Sequence, residues 1–144
     1  MDARLNSLLT ERFGRDTLLS LATLDHGRPS VRTVNAYYAE GAFYMITWAK
    51  SGKMRQIAEN PEVGVCGEWF TGHAVAKNLG HVLLMANAGM LGRLRQAFAA
   101  WYGNGHVNEA DPDTVLVQLR LTDGVLFHQG ERIAFDLTGT SSGG

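Results

Sequence analysis

The spacing of apolar residues divides the first third of the chain into one helix and three strands. Four apolar residues recur at helical spacing between Leu5 and Phe13, and Gly14 follows them, which predicts a helix over residues 3–13. Short turns containing Asp or Gly then separate three β-rich runs, which predicts an antiparallel meander. The three predicted strands are residues 17–24, 29–39 and 43–48.

The third strand leads into a second helix, predicted over residues 52–60. Ser51 stands at the N-cap position, where its hydroxyl can accept a hydrogen bond from a free backbone amide. Asn60-Pro61 ends this helix, because the residue before a proline is disfavoured in the α conformation. The pattern therefore predicts a buried strand, a short basic loop and a helix in direct succession.

The remainder of the chain alternates strands with one more amphipathic helix. Thr71-Gly72 and Asp123-Gly124 are predicted as turns, each joining two strands. Asn87 is predicted to cap a helix whose apolar stripe reaches residue 102, and the glycine-rich segment 103–105 ends it. The predicted strands of this part are residues 62–69, 73–85, 114–122, 125–129 and 132–137.

This order of elements predicts a mainly β fold. Parallel strands would need a crossover of a dozen or more residues at each step, so short connections favour an antiparallel β-barrel with α-helical decoration. A single domain is predicted over residues 1–137. Residues 138–144 are polar and glycine-rich, and are predicted to be a flexible C-terminal tail.

Composition narrows the class of protein. With 144 residues the chain can bury one sizeable core, and its net charge of −1 argues against binding nucleic acid by neutralising phosphates. The single cysteine, Cys66, lies in an apolar run, which predicts a buried thiol in a reducing compartment. The N-terminal segment is amphipathic and charged, and no apolar run approaches about 18 residues. We therefore expect a soluble, cytoplasmic protein.

The start of the predicted 52–60 helix has the composition of an anion site. Backbone amides, the positive end of the helix dipole and Lys53 together favour a phosphate, and Gly52 leaves room for one. A plain helix start with solvated lysines explains the same residues. Arg32 is a second unexpected cation in mid-strand, and an outward-facing arginine on a half-solvated sheet is its alternative explanation. Because the second and third strands are predicted hairpin partners, the two basic features can converge.

Other groupings of catalytic residues do not occur in the sequence. Ser51-Gly52-Lys53-Met54 lacks the upstream glycine and the Ser/Thr of a P-loop, and there is no GxGxxG or GxSxG motif. The histidines show no metal-binding spacing. No catalytic residue and no metal site are predicted, so an enzyme with this sequence would take its chemistry from a cofactor.

The segment from residue 18 to 66 resembles the FMN-binding split-barrel superfamily typified by pyridoxamine 5′-phosphate oxidase, and a weaker likeness continues to about residue 137. The features that match are R-x-V within the second strand, a third strand ending in threonine, S-x-K in the following loop and a helix closing in N-P. In this sequence they are Arg32-Thr33-Val34, Thr47, Ser51 with Lys53, and Asn60-Pro61.

The resemblance implies a six-stranded antiparallel split β-barrel that forms a homodimer, with one FMN at each end of the interface. It places Arg32 and Lys53 on the FMN phosphate with Ser51 assisting, and Gln56 one helical turn further on, facing the site. The segment FHQG resembles the family's F-W-Q-G, so His128 stands where a partner-subunit tryptophan often meets the flavin. The residues implied to line the ribityl chain and the ring are Thr33, Val34, Ile46 and Thr47.

Three departures distinguish this chain from a true pyridoxamine 5′-phosphate oxidase. Gly52 replaces a second basic residue, Tyr37 replaces a substrate-binding lysine, and the C-terminal Arg/His/Trp signature is missing after Gly130. The resemblance therefore implies a short, flavin reductase-like oxidoreductase that acts on an unknown small substrate. The alternatives are binding of F420, binding of haem with His128 as an axial ligand, and a flavin-binding module without turnover.

Overall fold

The structure, a computed structural model, describes residues 1–139. Residues 140–144 of the predicted tail lie outside the described part. A 3₁₀ turn (Met85–Asn87) precedes the helix that begins at Ala88, and a π-helical turn (Tyr102–His106) follows the helix that ends at Trp101. In chain order the elements are α1 (Ala3–Phe13), β1 (Thr17–Asp25), β2 (Arg28–Ala39), β3 (Ala42–Trp48), α2 (Gly52–Glu59), β4 (Glu62–Gly67), β5 (Phe70–His81), α3 (Ala88–Ala97), α4 (Ala99–Trp101), β6 (Thr114–His128) and β7 (Glu131–Asp136).

Six strands close into an antiparallel barrel. Their order is β3-β2-β1-β4-β5-β6, and the pairing of β3 with β6 closes the ring. Strand β7 pairs with the end of β6 and extends the sheet beyond the barrel. The predicted mainly β fold, an antiparallel six-stranded split β-barrel with α-helical decoration, is confirmed.

The split in the barrel lies between β2 and β3. These two strands pair only through Tyr37–Ala39 and Ala42–Tyr44. Before that point β2 pairs with β1 alone, and after it β3 pairs with β6 alone. Within residues 1–139, the facing edges of β2 and β3 therefore have no strand partner over the rest of their length, and we call the opening between these two edges the cleft.

Helices cover both ends and one side of the barrel. At one end α1 buries Leu5, Leu9 and Phe13, and the Phe13 ring lies 5.5 Å from that of Phe43. Burial of a side chain of this size contributes about 1.5–3 kcal/mol. The opposite end is covered by α2, and α3 packs on the outside of β3 and β6. The buried residues of these two helices are Met54, Gln56 and Ile57 in α2, and Leu91 and Leu94 in α3.

The two turns predicted at Thr71-Gly72 and Asp123-Gly124 are wrong. Both segments are strand, and Gly72 is the register partner of Gly124 in the β5–β6 pair. A Cβ on Gly72 would lie 2.6 Å from the carbonyl oxygen of Asp123, and one on Gly124 would lie 2.7 Å from that of Thr71. These glycines therefore permit close approach of two strands beside a β-bulge, rather than a change of direction.

Four further expectations need correction. The β4–β5 turn falls at residues 68–69, and β5 ends at His81 rather than at residue 85. Asn87 stands before α3, but its amide donates to the carbonyl oxygens of Leu79 and His81 instead of capping the helix. Cys66 is exposed, because it lies on the outward face of β4. Within residues 1–139, no helix combines the length and apolarity needed to cross a membrane.

Candidate functional site

The N-terminus of α2 carries a buried hydroxyl with no partner. Ser51 is the N-cap residue, with an extended backbone at φ −70° and ψ 159°. Its hydroxyl accepts no hydrogen bond from the helix, so the predicted side-chain cap is wrong. Across the described residues, the Ser51 Oγ atom is the buried side-chain oxygen or nitrogen that lacks a hydrogen bond. Such a group costs free energy unless a ligand satisfies it.

Arg32 points into the end of the barrel beneath α2. Its register partner on β1 is Leu21, which is fully buried, so the outward-facing alternative is wrong. The guanidinium donates only to neutral acceptors. They are Thr23 Oγ1 at 2.7 Å, Ser30 Oγ at 3.0 Å, Gln56 Oε1 at 3.0 Å and the Leu21 carbonyl oxygen at 3.3 Å. Within residues 1–139 it makes no ion pair, so its charge is not neutralised.

Lys53 brings a second cation to the same place. It lies one position inside α2, half-buried, and its ammonium group makes no hydrogen bond or ion pair within residues 1–139. Burial lowers the pKa of Lys53, and the nearby charge of Arg32 lowers it further. Lys50 differs, since it is exposed and lies 3.3 Å from the Asp113 carboxylate. Two adjacent cations without a carboxylate make this helix start strongly positive.

The route by which Arg32 reaches α2 is not the predicted one. The hairpin between β2 and β3 does not bring them together, because its pairing ends before Arg32. The contact forms instead because α2 packs over β1, where the buried Thr23 hydroxyl donates to Gln56 Oε1. Gln56 is 6% exposed and accepts from Arg32 through the same oxygen, so its amide nitrogen turns away from Arg32. That nitrogen lies 3.9 Å from the position of a Cβ on Gly52.

The predicted ring-lining residues lie on the two walls of the cleft. Thr33 and Val34 follow Arg32 along β2, and Ile46 and Thr47 are on β3 beyond the point where the two strands separate. Thr33 is exposed, whereas Ile46 packs on the cluster around α3. The cleft therefore leads from the positive helix start along two unpaired strand edges.

His128 does not join this group within one chain. Thr114, at the start of β6, pairs with Trp48 at the end of the barrel that α2 covers. His128 is at the other end of the same strand, where it borders a surface pocket with Arg12 and Arg15 of the α1 region. We call the group formed by Arg32, Ser51 and Lys53 at the start of α2 the Arg32–Lys53 site. A contact between His128 and this site would require a second chain.

Thr23 belongs to the site although sequence reasoning missed it. It is 2% exposed and bonds to both Arg32 and Gln56. A signal was present in the alternation of β1, where the inward positions Leu19 and Leu21 are followed by a hydroxyl residue.

The residues present fit a phosphate group. Arg32 and Lys53 supply positive charge, Ser51 supplies an unsatisfied hydroxyl, and the start of α2 supplies free backbone amides. The space beside Gly52 is open, since a Cβ there would meet only the Gln56 nitrogen within 4 Å. A phosphate can accept from more of these donors at once than a carboxylate can, because it presents more oxygen atoms.

Comparison with known proteins gives one family match by sequence. The family model described as pyridoxamine 5′-phosphate oxidase matches residues 6–127. No curated protein matches this sequence.

Solved structures with the same fold include proteins with different ligands in their names. A heme binding protein from Mycobacterium smegmatis is 16% identical with a TM-score of 0.68, over 99% of this chain and 61% of that one. An FAD-binding protein from Mesorhizobium loti is 13% identical with a TM-score of 0.65, over 86% and 92%. A protein named F420 reductase is 19% identical with a TM-score of 0.61, over 80% and 94%. At these identities the likeness shows a shared fold.

Proposed function

Because the chain belongs to the pyridoxamine 5′-phosphate oxidase family, we propose that it binds FMN at the Arg32–Lys53 site and acts as an oxidoreductase on a small substrate. The observation that carries the proposal is the convergence of two unneutralised cations and the unpaired Ser51 hydroxyl on one helix start. A terminal phosphate carries between one and two negative charges near pH 7, which matches two cations.

Each residue of the site then has a defined role. Arg32 offers a fixed positive charge, because its Nη groups already donate to four neutral acceptors in the protein. Lys53 offers a mobile ammonium, and Ser51 offers the hydroxyl that lacks a partner among residues 1–139. The Gln56 amide nitrogen is a further donor towards the helix start. Thr33, Val34, Ile46 and Thr47 border the ribityl chain and the ring from the two walls of the cleft.

The bound flavin would supply the redox chemistry, since it can accept a hydride and pass electrons on. This chain's residues would bind the phosphate, orient the ring in the cleft and exclude water from one face. Tyr37 replaces a lysine and Gly52 replaces a basic residue of the oxidases, so we propose a substrate other than pyridoxamine 5′-phosphate.

The proteins of this fold that bind FAD, F420 or haem define the alternatives. FMN is favoured here because its terminal phosphate carries more than one negative charge near pH 7, whereas the phosphodiester of F420 carries one negative charge and haem carries carboxylates. Haem ligation by His128 would also need the histidine of a second copy, because within one chain His128 lies at the far end of the barrel.

We also propose a homodimer with the cofactor at its interface. Among the helices of residues 1–139, none covers the outer face of β1, β2 and β4, and Leu18 and Val31 on this face are each 66% exposed. The small residues Ala22, Gly64 and Cys66 continue this face. A second copy would bury these residues, and it could also bring its His128 to the cleft. Sedimentation should show a dimer, and Val31→Glu should yield a monomer that binds FMN more weakly. A wild-type monomer would overturn this assignment.

The first experiment on the cofactor is a visible absorbance titration. FMN added to the purified protein should give perturbed flavin bands that saturate at about one FMN per chain, and riboflavin should bind more weakly because it lacks the phosphate. NADH or NADPH should then bleach the bound flavin. A Soret band, or selective binding of F420, would replace FMN in the proposal. Tight FMN binding without reduction by either nicotinamide would favour a non-enzymatic flavin module.

A further inference from the structure

A buried hydrogen-bond relay lies directly beneath the Arg32 guanidinium. Arg32 Nη1 donates to the Thr23 hydroxyl, the Thr23 hydroxyl donates to Gln56 Oε1, and Arg32 Nη2 donates to that same oxygen. Each donor and acceptor direction is fixed, because a guanidinium can only donate. The three side chains therefore form a closed ring, which we call the Thr23 relay.

The relay holds the cation without neutralising it. An arginine side chain loses rotamer freedom when it is fixed, so an unsupported Arg32 would sample several positions. A carboxylate in place of Gln56 would fix it equally well but would cancel the charge that a phosphate needs. Four neutral oxygens, two of them in the Thr23 relay, fix the guanidinium plane and leave its charge available.

Thr23 cannot act by touching a ligand. Its side chain is 2% exposed, and it lies on β1 below the guanidinium and below α2. Any effect of Thr23 on a ligand must pass through Arg32 and Gln56, whose positions it sets.

We propose that Thr23 is a positioning residue that determines the selectivity of this protein for phosphorylated over unphosphorylated flavin. The proposal rests on the proposed function, because it names the residue that makes the Arg32–Lys53 site distinguish FMN from riboflavin. The Thr23 relay fixes Arg32 towards the terminal phosphate. The difference in binding free energy between FMN and riboflavin therefore depends on a buried hydroxyl that contacts neither flavin.

The test compares Thr23→Val with Thr23→Ser. Valine keeps the shape and removes the hydroxyl, while serine keeps the hydroxyl. Thr23→Val should weaken FMN binding about tenfold or more, because Arg32 and Gln56 lose the hydroxyl that joins them and the guanidinium is no longer held ready for the phosphate. Riboflavin binding should stay within about twofold, and Thr23→Ser should retain most of the FMN affinity. Unchanged FMN affinity in Thr23→Val, or an equal loss for both flavins, overturns the proposal. Thr23→Ala serves the same purpose if the valine variant does not fold.

A second measurement separates this proposal from the proposed function. The arginine side-chain signals in ¹⁵N NMR spectra of the flavin-free protein report rotation of the Arg32 guanidinium. The wild type and Thr23→Ser should show resolved, slowly exchanging Arg32 Nη signals, and Thr23→Val should show averaged ones. Failure of the wild type to bind either flavin would overturn the proposed function but not this result. Identical Arg32 signals in the wild type and Thr23→Val would overturn the relay even if FMN binds.

Discussion

Lys53→Met tests phosphate binding at the Arg32–Lys53 site, because it removes one charge and keeps an unbranched apolar side chain. The ammonium has no partner in the described chain, so a bound phosphate would be its first. A hydrogen bond to a charged group contributes about 1.5–3 kcal/mol. The dissociation constant for FMN should therefore rise about 10-fold to 150-fold, measured by fluorescence quenching of the flavin, while riboflavin binding changes little.

The same substitution should leave the flavin-free protein equally stable or more stable. Lys53 is half-buried, and both burial and the charge of Arg32 lower its pKa, so folding disfavours its charged form. Methionine removes this cost and buries an apolar group instead. The midpoint of thermal unfolding should therefore not fall, although binding is impaired.

The pH dependence has a defined sign. Between the lowered pKa of folded Lys53 and its ordinary value of 10.5, the unfolded chain binds more protons than the folded chain. The free energy of unfolding of the wild type should therefore rise with pH in this window, relative to Lys53→Met. Below the window the lysine cost is fully present, and the variant should show its largest advantage.

Lys50→Met is the matched control. It removes the same charge three positions earlier, but Lys50 is exposed and paired with Asp113. Its effect should stay below about 1 kcal/mol for both stability and FMN binding. The reasoning is refuted if Lys53→Met binds FMN like the wild type, or if Lys50→Met weakens binding to the same extent.

Three more substitutions test other parts of the structure. Ser51→Ala should leave thermal stability unchanged or slightly higher, because it removes an unsatisfied buried oxygen, yet it should weaken FMN binding in the same titration. Gly124→Ala should lower the free energy of unfolding in urea by about 1–3 kcal/mol, because its Cβ would lie 2.7 Å from the Thr71 carbonyl oxygen; a neutral result contradicts the close approach. Gly52→Arg should fold normally, since the space is open, and should tighten FMN binding by up to about tenfold; weaker binding would show that the open space itself is required.

Much of the fold could be predicted because local patterns agreed with the tertiary structure. Helix α1 and the first three strands have strong periodicity and clear turn residues, and the structure places them within one or two residues of the prediction. The errors in the number of strands lie at Gly72 and Gly124. Glycine permits both a tight turn and a close approach of strands, and single-sequence reasoning could not distinguish the two because these residues face each other across 52 positions of chain.

The candidate site was only partly visible in the sequence for a similar reason. Ser51 and Lys53 share one helix start, so their spacing along the chain carries the signal. The relation of Arg32 to Gln56 depends on how α2 packs over β1, and Thr23 enters only through that packing. The unsatisfied Ser51 hydroxyl could not be predicted either, because an ordinary cap would have used it.

The split between β2 and β3 bears on how the protein behaves before it acquires a ligand. Free strand edges invite pairing with edges of other chains, and most folds protect them with charges, bulges or covering segments. The proposed FMN site requires that these edges stay open, and a flavin in the cleft would also shield them. Supplying flavin during expression should then raise the yield of soluble protein as well as its activity. Cells short of flavin should accumulate aggregates that form through the open edges of β2 and β3.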